Sequence, residues 1–187
     1  MTLAETGLRA RTRRAILDAA FATLTGNSGA SLSDVAAAAG VGRTTIHRYF
    51  PERSDLITAI SEDLLDKIAI ATRRARPDDG PAIQALDRLC QEYFELGDYL
   101  MLAFTEPHII TSADWETESP SDRVLTATIE RAQREGDLDG RMPASWVQQV
   151  MWALLYASWQ HIREDEAPKH DALSLCLLAF RKAVATS

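Results

Sequence analysis

The sequence predicts an all-α protein, and three observations carry the prediction. Apolar residues recur at steps of three and four along most of the chain, the spacing of one helix face. Alternating runs of Val, Ile, Thr and aromatic residues between hairpin turns are absent from the sequence. Glycine and proline gather at a few points that cut the periodic stretches into helix-sized pieces. With 187 residues, 46% hydrophobic and 25% charged, the chain can bury a core, either as one domain or as a small domain joined to a larger one.

The first helix is expected over residues 11–24, where Ile16, Leu17, Ala20, Phe21 and Leu24 form one stripe and Gly26, Asn27, Ser28 and Gly29 end it. A second starts at Leu32 or Ser33, with Ser31 as cap and Asp34 near the positive end of the dipole, and runs to Ala39. After Gly40, Val41 and Gly42 a third short helix covers residues 43–50, stopped by Pro51. Ser54 and Asp55 open a long fourth helix with Leu56, Ile57, Ile60, Leu64, Leu65 and Ile68 on its stripe; the turn-rich run from Pro77 to Pro81 ends it. Helices then follow over residues 82–97, with 98–105 continuing that helix or forming a separate piece, over 121–135 closed by Gly136, over 143–164 and over 171–185. Residues 107–119 read as a loop.

Composition narrows the class. Cys90 and Cys176 each sit in an apolar, helix-periodic stretch, which fits buried reduced thiols in a cytoplasmic protein better than a disulfide framework. No apolar run approaches the length needed to span a bilayer, so no membrane is expected as a partner. The net charge of −7 is unevenly spread: residues 1–55 hold seven arginines against five carboxylates, and the remainder holds thirteen basic against twenty-two acidic residues. A mildly basic head on an acidic body suits a protein whose head touches phosphate.

Residues 31–50, SLSDVAAAAGVGRTTIHRYF, are the most informative segment. Two short helices joined by a glycine-containing turn are what a helix-turn-helix needs, with Ala36 small at the crossing and Val35, Val41 and Ile46 between the helices. On a helical wheel, Tyr49 and Phe50 share the side of Ile46, while Thr44 and Arg48 point away, with Thr45 and His47 on the flanks. That outward face is slim, polar and cationic, as entry into a major groove requires. An ordinary solvated face has the same composition, so the wheel alone leaves both readings open.

The stretches ILDAAFATL (16–24) and SLSDVAAAAGVGRTTIHRYFPERSDLITAI (31–60) resemble the N-terminal signature of the TetR family of transcriptional regulators. The resemblance covers about the first sixty residues and implies a helix-turn-helix DNA-binding domain over 1–53 and a helical ligand-binding and dimerisation domain over 54–187. It further implies that Thr45 and Tyr49 bind the DNA backbone, that Arg43, Thr44, His47 and Arg48 lie at or near the bases, and that Arg53 stands at the family's usual backbone-binding lysine. Ser31 and Ser33 are weaker backbone candidates, and Arg11, Arg13 and Arg14 are placed to reach phosphates or an adjacent minor groove. The sequence departs from the family pattern at Gly42, where serine is usual, at Thr44, where glycine is frequent, and at His47, where tyrosine is usual; the last two leave the operator sequence unassigned.

The body offers material for a pocket and a partner. Candidate ligand-binding residues are Tyr93, Phe94, Met101, Phe104, His108, Trp115, Trp152, Tyr156 and Trp159, aromatics with polar handles that suit a small, largely apolar or aromatic effector. The 143–164 helix is apolar on two sides, and the last helix nearly all round, which calls for a second subunit and a four-helix interface. Val147, Val150, Leu154, Ala157, His161, Leu173, Leu177 and Phe180 are the interface candidates, although the sequence leaves open which face of the 143–164 helix meets the partner.

No phosphate-binding loop, nucleophile elbow, dinucleotide fingerprint or metalloprotease motif occurs in the sequence, and the four histidines are scattered. The expected function is therefore not enzymatic, with neither metal nor cofactor. The expectation is a TetR-type repressor that binds a palindromic double-stranded DNA operator as a homodimer and is released by a small molecule. A ligand-insensitive DNA-binding or architectural protein is the alternative.

Overall fold

The computed structural model describes residues 3–106, 109 and 118–186. Among them the regular elements are all helices: α1 Leu3–Gly26, α2 Leu32–Ala38, α3 Arg43–Tyr49, α4 Arg53–Arg74, α5 Ala82–Phe94, α6 Gly97–Thr105, α7 Pro120–Glu135, α8 Ala144–Glu164 and α9 Lys169–Val184. The first helix begins at Leu3, eight residues before the expected start. Residues 7–10 are all exposed, so no apolar stripe marks that turn in the sequence. Residues 98–105 form a piece separate from α5. The expected loop 107–119 lies mostly outside the described residues.

Local chemistry sets the boundaries. Ser31 and Asp34 form a reciprocal capping box at the start of α2, and Ser119 and Asp122 form another at α7, with Pro120 in its first turn. Gly40 takes φ +63° after α2 and Gly136 takes φ +85° after α7, the left-handed region where a side chain would be strained. Pro81, Pro143 and Pro168 precede α5, α8 and α9.

The chain divides into two compact units. One comprises Met1–Leu64 with Asp98–Glu116, the other Leu65–Gly97 with Thr117–Ser187. The first unit thus extends past residue 53 and takes in the N-terminal half of α4. Its core holds Ile16, Ala20 and Leu24 of α1, Val35 and Ala36 of α2, Ile46 beneath α3, and Leu56, Ile57 and Ile60 of α4. Phe21 of α1 stacks on Tyr99 of α6, ring centroids 3.9 Å apart. The Ser61 hydroxyl, fully buried, donates to the Ile109 carbonyl at 3.1 Å.

In the second unit α8 packs on α9 and α7, and α5 touches α7, α8 and α9. Ala85, Leu86, Leu89, Ile129, Val147, Met151, Leu155 and Phe180 are fully enclosed. Two of the interface candidates face inward. Val147 and Phe180 have no exposed surface within the chain itself and so offer none to a second subunit; they share a side with Met151 and Leu155 on α8 and with Cys176 and Val184 on α9. Val150, Leu154, Leu173, Leu177 and His161 are partly exposed, Ala157 is exposed, and Leu175 and Leu178 expose about half their surface.

Candidate nucleic-acid interface

The recognition unit is built from below. Ile46 is fully buried and Phe50 nearly so, and each apolar side chain of that size contributes about 1.5–3 kcal/mol by leaving water. That anchoring fixes the rotation of α3 and leaves Arg43, Thr44, His47 and Arg48 exposed, with Thr45 and Tyr49 partly covered. The Val41 amide donates to the Ala36 carbonyl at 3.0 Å, closing the turn between the helices. Gly42 supplies an extended N-cap for α3 without a side-chain bond. Ser33 is exposed; Ser31 is exposed too, but its hydroxyl is engaged by Asp34, whose carboxyl is held below the usual carboxylate range by the Ser31 amide and hydroxyl.

Two outward groups have defined orientations. His47 Nδ1 lies 3.1 Å from the Pro51 carbonyl, which only accepts, so Nδ1 donates and the neutral ring keeps Nε2 as an acceptor. The Arg48 guanidinium lies 5.6 Å from the Tyr49 ring centroid, a cation–π contact that lays it along the helix surface.

Arg53, Arg14 and Arg13 are committed inside the first unit. Arg53 donates to the Ser28 carbonyl at 2.6 Å, to the Ala30 carbonyl at 3.4 Å and to Glu106 at 3.1 Å. Arg14 pairs with Asp18 and with Asp63 at 2.5 Å. Arg13 lies over the Phe50 ring at 5.6 Å and 3.8 Å from Glu62. Arg13 and Arg14 therefore join α1 to α4, and Arg11 is exposed.

The ligand candidates fall in both units. In the second, the Thr72 hydroxyl donates to the Ile68 carbonyl and so accepts from the Tyr93 hydroxyl at 2.8 Å. Tyr93 stacks on Trp152 at 5.0 Å, and burial pushes its phenol up to about 12. Trp159 Nε1 donates to the Phe94 carbonyl at 3.1 Å. The polar handles of Tyr93 and Trp159 are thus used within the chain, and Phe94 is buried against Trp159. Trp152 and Tyr156 are half-buried. In the first unit Met101 is buried and Phe104 exposed, while His108 and Trp115 lie outside the described residues.

A profile of the bacterial regulatory proteins, tetR family, matches residues 16–60. Over 182 residues, 97% of this chain and 95% of the other, the sequence is 37% identical to the HTH-type transcriptional repressor LfrR of Mycolicibacterium smegmatis. The chain belongs to the TetR family. The crystal structure of LfrR from Mycobacterium smegmatis in complex with proflavine superposes on it with a TM-score of 0.75 at 34% identity, covering 95% of this chain and 99% of that one. A second LfrR structure, described without a ligand, gives 0.66 at 31% identity, over 92% and 99% of the two chains. This chain is accordingly a TetR-family transcriptional regulator with an N-terminal helix-turn-helix.

Three residues of this TetR-family regulator escaped the sequence reading. Glu106 is buried beside Arg53, and only its place at the end of an apolar helix hints at that. Thr72 is a polar residue on the apolar stripe of α4. Gly97 lies under Trp159: a Cβ there would stand 2.5 Å from Nε1 and 2.7 Å from Cδ1. Among the described residues no group of three His, Cys, Asp or Glu is placed to hold a metal, and no helix is long and apolar enough to cross a membrane.

Proposed function

We propose that this TetR-family regulator is a cytoplasmic repressor that binds a palindromic operator as a homodimer and leaves it when a small, largely apolar or aromatic molecule binds. The observation that carries the reading is the α3 face, with Ile46 enclosed beneath and Arg43, Thr44, His47 and Arg48 turned to solvent. Residues 1–53 make the DNA contacts: these four at or near the bases, Thr45 and Tyr49 on the backbone, Ser31 and Ser33 at the groove wall. Arg53 supports the unit from behind and reaches a phosphate with its exposed edge.

Residues 54–187 bind the effector and the second copy. Val150, Leu154, Ala157 and His161 of α8, with Leu173 and Leu177 of α9, offer the uncovered apolar face, extended by Leu175 and Leu178. The LfrR complex with proflavine supports a small-molecule effector, and the half-buried Trp152 and Tyr156 of the second unit are its stacking partners in this chain. The effector acts only to the extent that it binds the conformer unfit for the operator more tightly. The protein acts by binding, not by catalysis.

Selection of bound DNA from a random pool tests the reading. A palindrome with half-sites about 34–36 Å apart is expected, and proflavine, titrated into the complex, is the first effector to try. Failure to enrich any sequence overturns it.

A further inference from the structure

Two thiols lie in contact inside the second unit. Cys90 of α5 and Cys176 of α9 are 86 residues apart in sequence, yet their sulfurs are 3.7 Å apart and both are free. The helices that carry them pack on each other, so the approach is held by two rigid elements. The two sulfurs differ in surroundings. Cys90 is fully enclosed, and its hydrogen bond with Cys176 together with burial pushes its thiol up. Cys176 lines an open groove of about 270 Å³ with Ser158 and His161 while keeping 2% of its own surface exposed, and the hydrogen bond from Cys90 lowers its thiol. A disulfide needs sulfurs about 2.05 Å apart.

We propose that Cys90 and Cys176 are a redox pair that hydrogen peroxide closes into an intrachain disulfide. The Cys176 thiolate, on the groove side, attacks one peroxide oxygen; the O–O bond breaks, leaving a sulfenic acid on Cys176 and, after one proton is taken up, water. The Cys90 sulfur then attacks the sulfenic sulfur. The S–S bond forms, the S–O bond breaks, and the departing hydroxide takes the Cys90 proton as a second water. Two thiols lose two electrons and one peroxide becomes two waters. A reversible bond of this kind suits a reducing compartment, where cysteine pairs that oxidise do so transiently. The groove belongs to the face assigned above to the second copy, so a dimer built there is expected to slow the oxidation and dilution to speed it. The bond lies within one chain and rests on neither the operator nor the dimer reading.

The test treats the purified protein with hydrogen peroxide, unfolds it in guanidinium chloride so that an alkylating agent reaches every remaining thiol, and digests with trypsin without reductant. The expected product is peptide 89–123 joined to peptide 170–181, with both thiols lost to titration, no covalent dimer on a non-reducing gel, and both thiols recovered by dithiothreitol. In Cys90→Ala the reaction stops at a sulfenic acid on Cys176 that dimedone traps. Thiols that both remain alkylatable in the unmodified protein, a bond between chains, or irreversible oxidation of Cys176 beside an intact Cys90 would overturn the proposal. The first measurement needs no variant, so a poorly folding mutant leaves it decisive.

Discussion

The Arg53 guanidinium and the Glu106 carboxylate meet at 3.1 Å, one at the first turn of α4 and the other just beyond α6. Glu106 keeps 8% of its side chain exposed and Arg53 36%, so the acid depends on this partner more than the base does. Arg53 also holds the Ser28 and Ala30 carbonyls of the α1–α2 loop. One cation therefore joins the approach to the helix-turn-helix, the start of α4 and the end of α6, all within the first unit.

Removing the acid tests that joint. Glu106→Ala removes the charged partner, and the loss expected is about 1–3 kcal/mol for a charge-assisted bond. The lower part of that range is expected because Arg53 is a third exposed and keeps its two carbonyls. Glu106→Gln, which retains an acceptor oxygen, is expected to lose about half as much. Urea denaturation followed by circular dichroism measures both, and a Glu106→Ala protein as stable as the parent would remove the joint from the account.

Gly97 and Trp159 predict a steric effect. A methyl group at residue 97 meets the indole at 2.5 Å, and the indole is enclosed and bonded to the Phe94 carbonyl. Gly97→Ala should cost about 1–3 kcal/mol through overpacking, a fall in melting temperature of roughly 2–4 °C for each kcal/mol in a chain of this size. Gly97→Ala with Trp159→Phe should recover part of the loss, because the phenyl ring is smaller. Equal melting temperatures for Gly97→Ala and the parent would show that the indole moves freely.

Most of the helices, and the Ser31 cap of α2, were legible in the sequence because their causes are local. Ser31, Gly40, Gly42 and Pro51 bracket the recognition unit within twenty-one residues, and the side of Ile46 follows from helical periodicity alone. What stayed hidden depends on pairing across distance. Arg53 finds Glu106 53 residues away, Phe21 finds Tyr99, and Tyr93 finds Thr72, and no periodicity carries that information. Val147 and Phe180 illustrate the same limit: both lie on apolar faces, and only the packing of α8 and α9 decides that their faces turn inward. The aromatic candidates divide likewise, since the internal bonds of Tyr93 and Trp159 cannot be told from a ligand's by composition.

Tyr93 predicts an alkaline limit. Its phenol titrates near 10 in the unfolded chain and at about 12 in the folded one. Above pH 10 the unfolded state releases the proton first, so stability is fully present below pH 10 and falls as pH rises to 12. Two units correspond to about 2–3 kcal/mol. Urea denaturation at pH 9 and pH 11.5 should show this fall in the parent and a smaller one in Tyr93→Phe. Parallel losses in both proteins would place the alkaline sensitivity elsewhere.

Leu175, half exposed on α9, tests the face assigned to the second copy. Leu175→Glu places a charge where an interface would exclude water, and such a charge costs several kcal/mol when unpaired. Sedimentation should show monomers, with operator affinity reduced at least tenfold and the far-ultraviolet spectrum unchanged. An intact dimer would move the interface away from this part of α9.

Arg48 and Thr45 divide base reading from backbone holding. Arg48 is exposed and lies along Tyr49, where its guanidinium has donors for a base edge; Thr45 is half-buried on the flank of α3. Arg48→Ala should lose about 1–3 kcal/mol on the selected operator and much less on operators already altered at the base pair it reads. Thr45→Val keeps the shape of the side chain and removes only a hydroxyl, so affinity should fall by one common factor across operator variants. The salt dependence should be unchanged for Thr45→Val, which removes no charge, and about one unit shallower for Arg48→Ala if its guanidinium also neutralises a phosphate. Fluorescence anisotropy against single-base operator variants at several salt concentrations measures both patterns, and a uniform loss for Arg48→Ala would assign Arg48 to the backbone.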